Sequence, residues 1–214
     1  MNFSRVRPFT RVNAFVDWNS QLRLTNIRIV EEPVQAAKAA LKDLARRITK
    51  CLYEIDVGKK YSVSLRLYHG WRKGYEPSPN FKAVQQTIAE TDFSALSCRL
   101  TVTYSSNVEF GDCLLLAMPE RMHKGCGIHL PNTLRKGRND QLEEKMVDTA
   151  IAADAIVSAY RDPQDWLIIV GEDDDLIPPL FTAEAITRSN GARALFLSKR
   201  RMGNNFLLLE GLSV

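Results

Sequence analysis

The feature that constrains this chain most is a run of five apolar residues, Trp166-Leu167-Ile168-Ile169-Val170, which leads without a break into Gly171-Glu172-Asp173-Asp174-Asp175. An uninterrupted apolar run this short reads as a strand buried on both faces. Four adjacent carboxylates at its carboxyl end repel one another unless solvent or a cation offsets the charge. Two readings of the run follow: a solvated acidic loop with an Asp capping the next helix, or a place for something positive.

The rest of the chain supplies partners for such a strand. Val12 to Val16 is a second short apolar run and ends in Asp17. Pro33 opens a helical stretch whose face is Val34, Ala37, Leu41, Leu44, Ala45 and Ile48, with proline in the first turn. Tyr61 to Tyr68 alternates as a strand, and Asn80 to Ala89 reads as a helix after the breakers Pro77 and Pro79. Residues 99–104 and 113–117 have strand character, and Met122 to Arg138 reads as a long loop punctuated by Gly125, Gly127, Pro131 and Gly137. Asp140 and Glu143 have the form of a capping box, predicting a helix to about Tyr160 with Val147, Ala150, Ile151 and Val157 on its apolar stripe. Pro178 to Thr187 predicts another helix, stopped at Asn190-Gly191, and Arg193 to Ser198 a last strand. Strands alternating with helices predict an α/β fold of three layers, αβα, around a mainly parallel sheet. In such sheets ligands collect beyond the carboxyl ends of the strands.

With 214 residues the chain is expected to form one domain, 1–214, in which residues 90–138 carry the weakest pattern. No apolar run approaches the ~18 residues of a membrane span, and Met1 to Pro8 lacks the apolar core of a signal peptide. The cysteines, Cys51, Cys98, Cys113 and Cys126, form no Cys-x-x-Cys pair, so a reducing cytoplasm is the expected location. A net charge of +4 permits a polyanionic partner without demanding one.

Asp173 and Asp175 stand two apart and would converge in a tight turn, and Asp17 offers a third carboxylate from another strand end. Three oxygen donors suit a hard ion such as Mg²⁺ or Mn²⁺, which keeps several waters. On the long helix Asp148 and Asp154 lie roughly 9 Å apart along the axis and about 120° around it, so they do not readily ligate one ion. Asp154 falls within the apolar stripe and is expected to be a buried, hydrogen-bonded support. Asp148, at the margin near the helix start, is expected to face the metal, against the plain alternative of a solvated surface residue.

These residues, in this order, resemble the NYN domain, the LabA-like branch of the PIN-like nuclease superfamily. The matching segments are Ala14-Phe15-Val16-Asp17, then Lys145-Met146-Val147-Asp148 with Asp154 six residues on, then Gly171-Glu172-Asp173-Asp174-Asp175-Leu176-Ile177-Pro178. The resemblance implies a PIN-like fold and a metal-dependent endoribonuclease of cytoplasmic location that hydrolyses RNA, with Asp17, Asp148, Asp173 and Asp175 holding Mg²⁺ or Mn²⁺. It departs from the family pattern in three places. Asn19 stands two residues after the first Asp and Ser20 three, where the family has Asn at three. Gly171-Glu172 replaces Ser-Gly and adds a negative charge beside the pocket. Met146 stands where the family has glycine.

Other segments have two or more readings each. Trp71, with Arg72 and Lys73, follows a strand end where an aromatic could stack an unpaired base or pack under a loop. Arg121, Lys124, Arg135, Lys136 and Arg138 could hold an RNA backbone or be a solvated loop, and Lys199-Arg200-Arg201 has the same alternatives. His123, Cys126 and His129 have a spacing that could bind zinc but lack a fourth ligand at a familiar interval, so an ordinary histidine-bearing loop with a plain thiol is the favoured reading, and contact of His123 or His129 with phosphate a third. Alternatives to an RNA-cutting enzyme are a nucleic-acid-binding module of the same fold with impaired catalysis, and an aspartate-based phosphatase. The latter normally has a second Asp where Asn19 stands. A homo-oligomer and a DNA substrate both stay open.

Overall fold

The computed structural model describes residues 8–73, 76–111, 134–136, 142–144, 146–199 and 206–208. Two strands form its centre. β1 (Thr10–Asp17) and β2 (Tyr61–Tyr68) pair in parallel over their whole length, from Thr10 opposite Tyr61 to Asp17 opposite Tyr68. Between them run α1 (Trp18–Arg23) and α2 (Pro33–Ile55). The residues Ala36, Ala40, Leu44, Ile48 and Leu52 recur every fourth position on α2 and are buried, their small members letting the helix sit close to the sheet.

After β2 come the short ribbon β3 (Arg72–Lys73) and β4 (Glu76–Pro77), then α3 (Pro79–Glu90), capped by Ser78. β5 (Val102–Tyr104) and β6 (Glu109–Phe110) both pair in parallel with β2. A second ribbon joins β7 (Leu134–Lys136) to β8 (Leu142–Glu144). α4 (Val147–Arg161), β9 (Trp166–Val170), α5 (Ile177–Thr187), β10 (Ala194–Leu197) and β11 (Phe206–Leu208) complete the described elements.

The main sheet has the order β11-β10-β9-β1-β2-β5, with β6 beside β2 and only β11 antiparallel. Alternate side chains face opposite layers, as the pleat requires. Val12, Ala14 and Val16 of β1, with Trp166, Ile168 and Val170 of β9, pack beneath α1, α2 and α3. Phe15, Leu167 and Ile169 point the other way, onto α4 and α5. The fold is therefore a three-layer αβα arrangement around a mainly parallel sheet. No helix among the described residues is long and apolar enough to cross a membrane.

Several boundaries differ from the sequence reading. The helix expected from Asp140 starts at Val147. Leu142–Glu144 pairs instead with Leu134–Lys136, inside the expected loop, and Met146 adopts a left-handed conformation (φ 65°) that halts the helix before it can extend back. Val157, expected on the buried stripe, is half-buried, and the covered positions are Val147, Ala150, Ile151, Asp154, Ala155 and Ala159. Of residues 99–104 only 102–104 is a strand, because the chain turns with Val102 N–H donating to the Arg99 carbonyl. The expected strand 113–117 lies outside the described residues.

Asp154 ties the second face together. Fully buried, it accepts a 2.7 Å hydrogen bond from the Tyr68 hydroxyl and has Arg66 Nη1 at 3.4 Å, so α4 is locked to β2. Burial first, and then the Asp154 charge, push the Tyr68 hydroxyl well above its ordinary pKa, which keeps it a donor. Tyr68→Phe should lower the unfolding free energy by about 2 kcal/mol, the scale of a hydrogen bond to a charged group. Met146→Gly should raise it by about 1 kcal/mol by relieving the left-handed backbone. Urea denaturation of the two variants checks both signs.

Candidate functional site

The crossover helices α1 and α2 leave β1 toward one face, whereas α5 leaves β9 toward the other. Neighbouring strands whose connections diverge in this way open a crevice at their carboxyl ends. Val16 is in register with Val170, which sets Asp17 beside Gly171. A Cβ on Gly171 would come within 2.6 Å of Leu176 Cδ1 and 3.7 Å of Asp17 Cβ, so a larger residue here would have to displace the Leu176 side chain.

A cavity of about 390 Å³ occupies the crevice. Six acids line it: Asp17 from the end of β1, Glu144 from β8, Asp148 from the first turn of α4, and Glu172, Asp173 and Asp174 after β9. Arg23 is the one cation among the described lining residues. Asp175 does not line this cavity, a difference from the convergence expected of Asp173 and Asp175. Asp173 accepts the Asp175 backbone N–H at 3.1 Å and caps a short 3₁₀ turn, Asp174–Leu176. Asp174 lines the space, while Asp175 is near enough to add to the charge felt by Asp148.

The carboxylates differ in how they are held. Asp17 caps α1, accepting from the Ser20 N–H at 3.3 Å and from the Ser20 hydroxyl. Its pKa is nevertheless raised: burial outweighs the Ser20 bonds, Glu144 adds repulsion, and His69 only partly opposes it. Asp148 is raised as well, first by desolvation at the cavity wall and then by Asp17, Asp173, Asp175 and Glu144. Glu144 goes the other way. Burial alone would push it up, but bonds from His69, Gly70 and Asn19 hold it below its ordinary value. Asn19 Nδ2 and Gly70 N–H each donate to Glu144 at 2.6 Å, and His69 Nδ1 is in direct contact with it. Asn80 Nδ2 lies 2.7 Å from the other ring nitrogen of His69. Ser20 thus orients the first carboxylate, whereas Asn19 serves Glu144.

Glu172, the added charge of the acidic run, accepts from the Ser198 hydroxyl and the Lys199 N–H, both at 2.8 Å, and so braces the end of β10. Glu144 and His69 were not singled out by the sequence. Glu144 sits in a short charged segment that imitates a helix start, and the one available signal was its place four residues before Asp148.

The expected RNA contacts fare differently. Trp71 is fully buried, with Nε1–H donating to the Leu67 carbonyl at 3.1 Å and its ring against His69, Phe81 and Phe110. It has no face left for a base, because α3 and β6 supply aromatic cover that a local reading does not foresee. Arg72 lies over the Phe81 ring at 5.1 Å. Lys73, Arg135 and Lys136 contribute backbone to β3 and β7. Arg121, Lys124, Arg138, Arg200, Arg201, His123, Cys126 and His129 lie outside the described residues, and Lys199 Nζ lies 3.5 Å from Asp43.

Among the described residues no group of three or more His, Cys, Asp or Glu side chains is drawn together closely enough to hold a metal ion as it stands. The donor set is all oxygen, and Asp17 and Asp148 are raised first by burial and then by the neighbouring carboxylates. That fits a hard divalent ion reached partly through water, which needs few direct protein ligands.

The pKa shifts carry opposite signs for stability. Glu144, depressed in the fold, adds stability above its unfolded pKa and loses it as pH falls through the folded one; Asp17 and Asp148, raised, withdraw stability as pH rises through their range. Glu144→Gln should therefore cost about 2 kcal/mol at pH 7, the scale of bonds to a charged acceptor, with the deficit shrinking on acidification below the ordinary glutamate range. Urea midpoints across pH measure it. Comparison of the chain with models of known families, with curated proteins and with solved structures finds no match.

Proposed function

We propose that this chain is a divalent-metal-dependent ribonuclease that cuts phosphodiester bonds within single-stranded RNA, and that it belongs with the NYN, PIN-like nucleases its motifs resemble. The observation that supports this best is the meeting of Asp17, Asp148 and Asp173, from three distant segments, in one cavity at the strand ends where six acids face one cation, Arg23, among the described lining residues. Asp17, Asp148, Asp173 and Asp175 would hold Mg²⁺ or Mn²⁺: the first three line the cavity, and Asp175, outside its lining, still adds to the charge felt by Asp148. When bound, such an ion lowers the pKa of a water and offsets charge developing on the phosphodiester.

The chain's own groups position these acids. Ser20 fixes the Asp17 carboxylate on the α1 cap. Asp154 acts at a distance, holding α4 against β2 through Tyr68 and so setting where Asp148 stands. Glu144, kept ionised by His69, Gly70 and Asn19, adds fixed negative charge at the rim. Arg23 offers the opposite charge to a substrate phosphate at the mouth.

A second reading, a nucleic-acid-binding module without useful cleavage, is favoured by the spread of the acids noted above. Incubating the full chain with single-stranded RNA and Mn²⁺ separates the two. The ribonuclease reading expects cleavage that chelation abolishes and that falls at least about 100-fold in Asp17→Asn and in Asp173→Asn. Binding without cleavage supports the second reading. Mn²⁺ should also raise the melting temperature of the wild type and not that of Asp17→Asn, which calorimetry or dye melting reads.

A further inference from the structure

A second cavity, of about 680 Å³, adjoins the acid cavity and shares Asn19, Arg23 and Glu144 with it. Its character is different. Ile29, Val30, Pro33, Pro79 and Leu134 give it apolar walls, Asn80 and His69 place hydrogen-bonding groups on one side, and Glu143 lines it as a second carboxylate beside Glu144. The volume lies in the range of small-ligand pockets, whose pattern is apolar faces with a few convergent polar groups. Asn80, which spends one contact on His69, retains its carbonyl oxygen and a second N–H for a ligand edge.

Arg23 stands where the two cavities meet. It lies in the last turn of α1, its side chain is exposed, and among the described residues it has no ion-pair partner. A ligand lying across the junction therefore meets the Arg23 guanidinium in the middle, six acids on one side, and on the other apolar walls with the Asn80 amide, His69 and the Glu143 carboxylate at the edge. That sequence of environments suits an anion joined to a flat body with a hydrogen-bonding rim, which is the chemistry of a nucleotide.

We infer that the second cavity is a nucleoside subsite, taking the base and sugar of a nucleotide whose phosphate sits at Arg23. The inference rests on the nuclease reading for its orientation, since the phosphate then lies at the edge of the acid cavity. The prolines and aliphatic side chains pack against the base faces, and Asn80 meets the base edge, the manner in which unpaired bases are recognised. Arg23 supplies charge-assisted bonds to the phosphate oxygens.

The test uses the full chain without added metal, titrated with uridine 5′-monophosphate, adenosine 5′-monophosphate and ribose 5-phosphate and followed by methyl-labelled NMR. The nucleotides should bind at least about 10-fold more tightly than ribose 5-phosphate, the return on burying a base. Their base protons should show Overhauser contacts to methyls of Ile29, Val30 and Leu134. Arg23→Ala should weaken all three ligands about 10-fold, and Asn80→Ala only the nucleotides. Equal affinity for nucleotides and ribose 5-phosphate, base protons touching none of those methyls, or no binding at all would overturn the subsite. The two readings fail separately: base contacts without any Mn²⁺-dependent cleavage leave the subsite standing, whereas cleavage that depends on Asp17 without base contacts removes the subsite alone.

Discussion

The parallel pairing of β1 with β9 is the constraint on which the rest of the molecule depends. It sets Val16 against Val170, and each strand then turns off toward a different helical layer. Acids from the two strand ends, Asp17 and Glu172 to Asp174, line the wedge between those departures together with Glu144 and Asp148. A one-residue slip would exchange the faces of Val12, Ala14 and Val16 with those of Asn13 and Phe15, burying the wrong set under α2. The apolar pattern of the core and the placing of Asp17 beside Gly171 are thus the same fact.

Around that wedge the carboxylates fall into two kinds. Glu144 is supplied with donors from Asn19, Gly70 and His69, and Asp154 with Tyr68 and Arg66, so both are integrated into the fold as anions with partners. Asp17 and Asp148 shift upward, chiefly because burial removes them from water and secondarily because other acids face them. Under the proposed function these two are the acids a bound cation would stabilise most.

What was legible in the sequence follows from how local each signal is. Val12–Val16 and Trp166–Val170 are unbroken apolar runs, and α2 repeats its buried positions over 23 residues, so the layers and the strand ends could be read directly. Asp154 was legible because helical period alone places it on the stripe of Ala150 and Ile151. The lining position of Asp174 was not, since nothing in a run of four acids tells which of them faces the crevice. Glu144 escaped because Asp140 and Glu143 mimic a capping box, and only the pairing of Leu142–Glu144 with residues 134–136 makes it a strand. Trp71 misled for the related reason that its cover, Phe81 and Phe110, arrives from outside its own segment.

The β7–β8 ribbon stands outside the main sheet, yet its Glu144 borders both cavities. One carboxylate is in effect a shared wall between an acidic compartment and a more apolar one, tethered just beyond the end of β2 by Gly70 and His69. The two rooms therefore take part of their outline from the same anchored side chain.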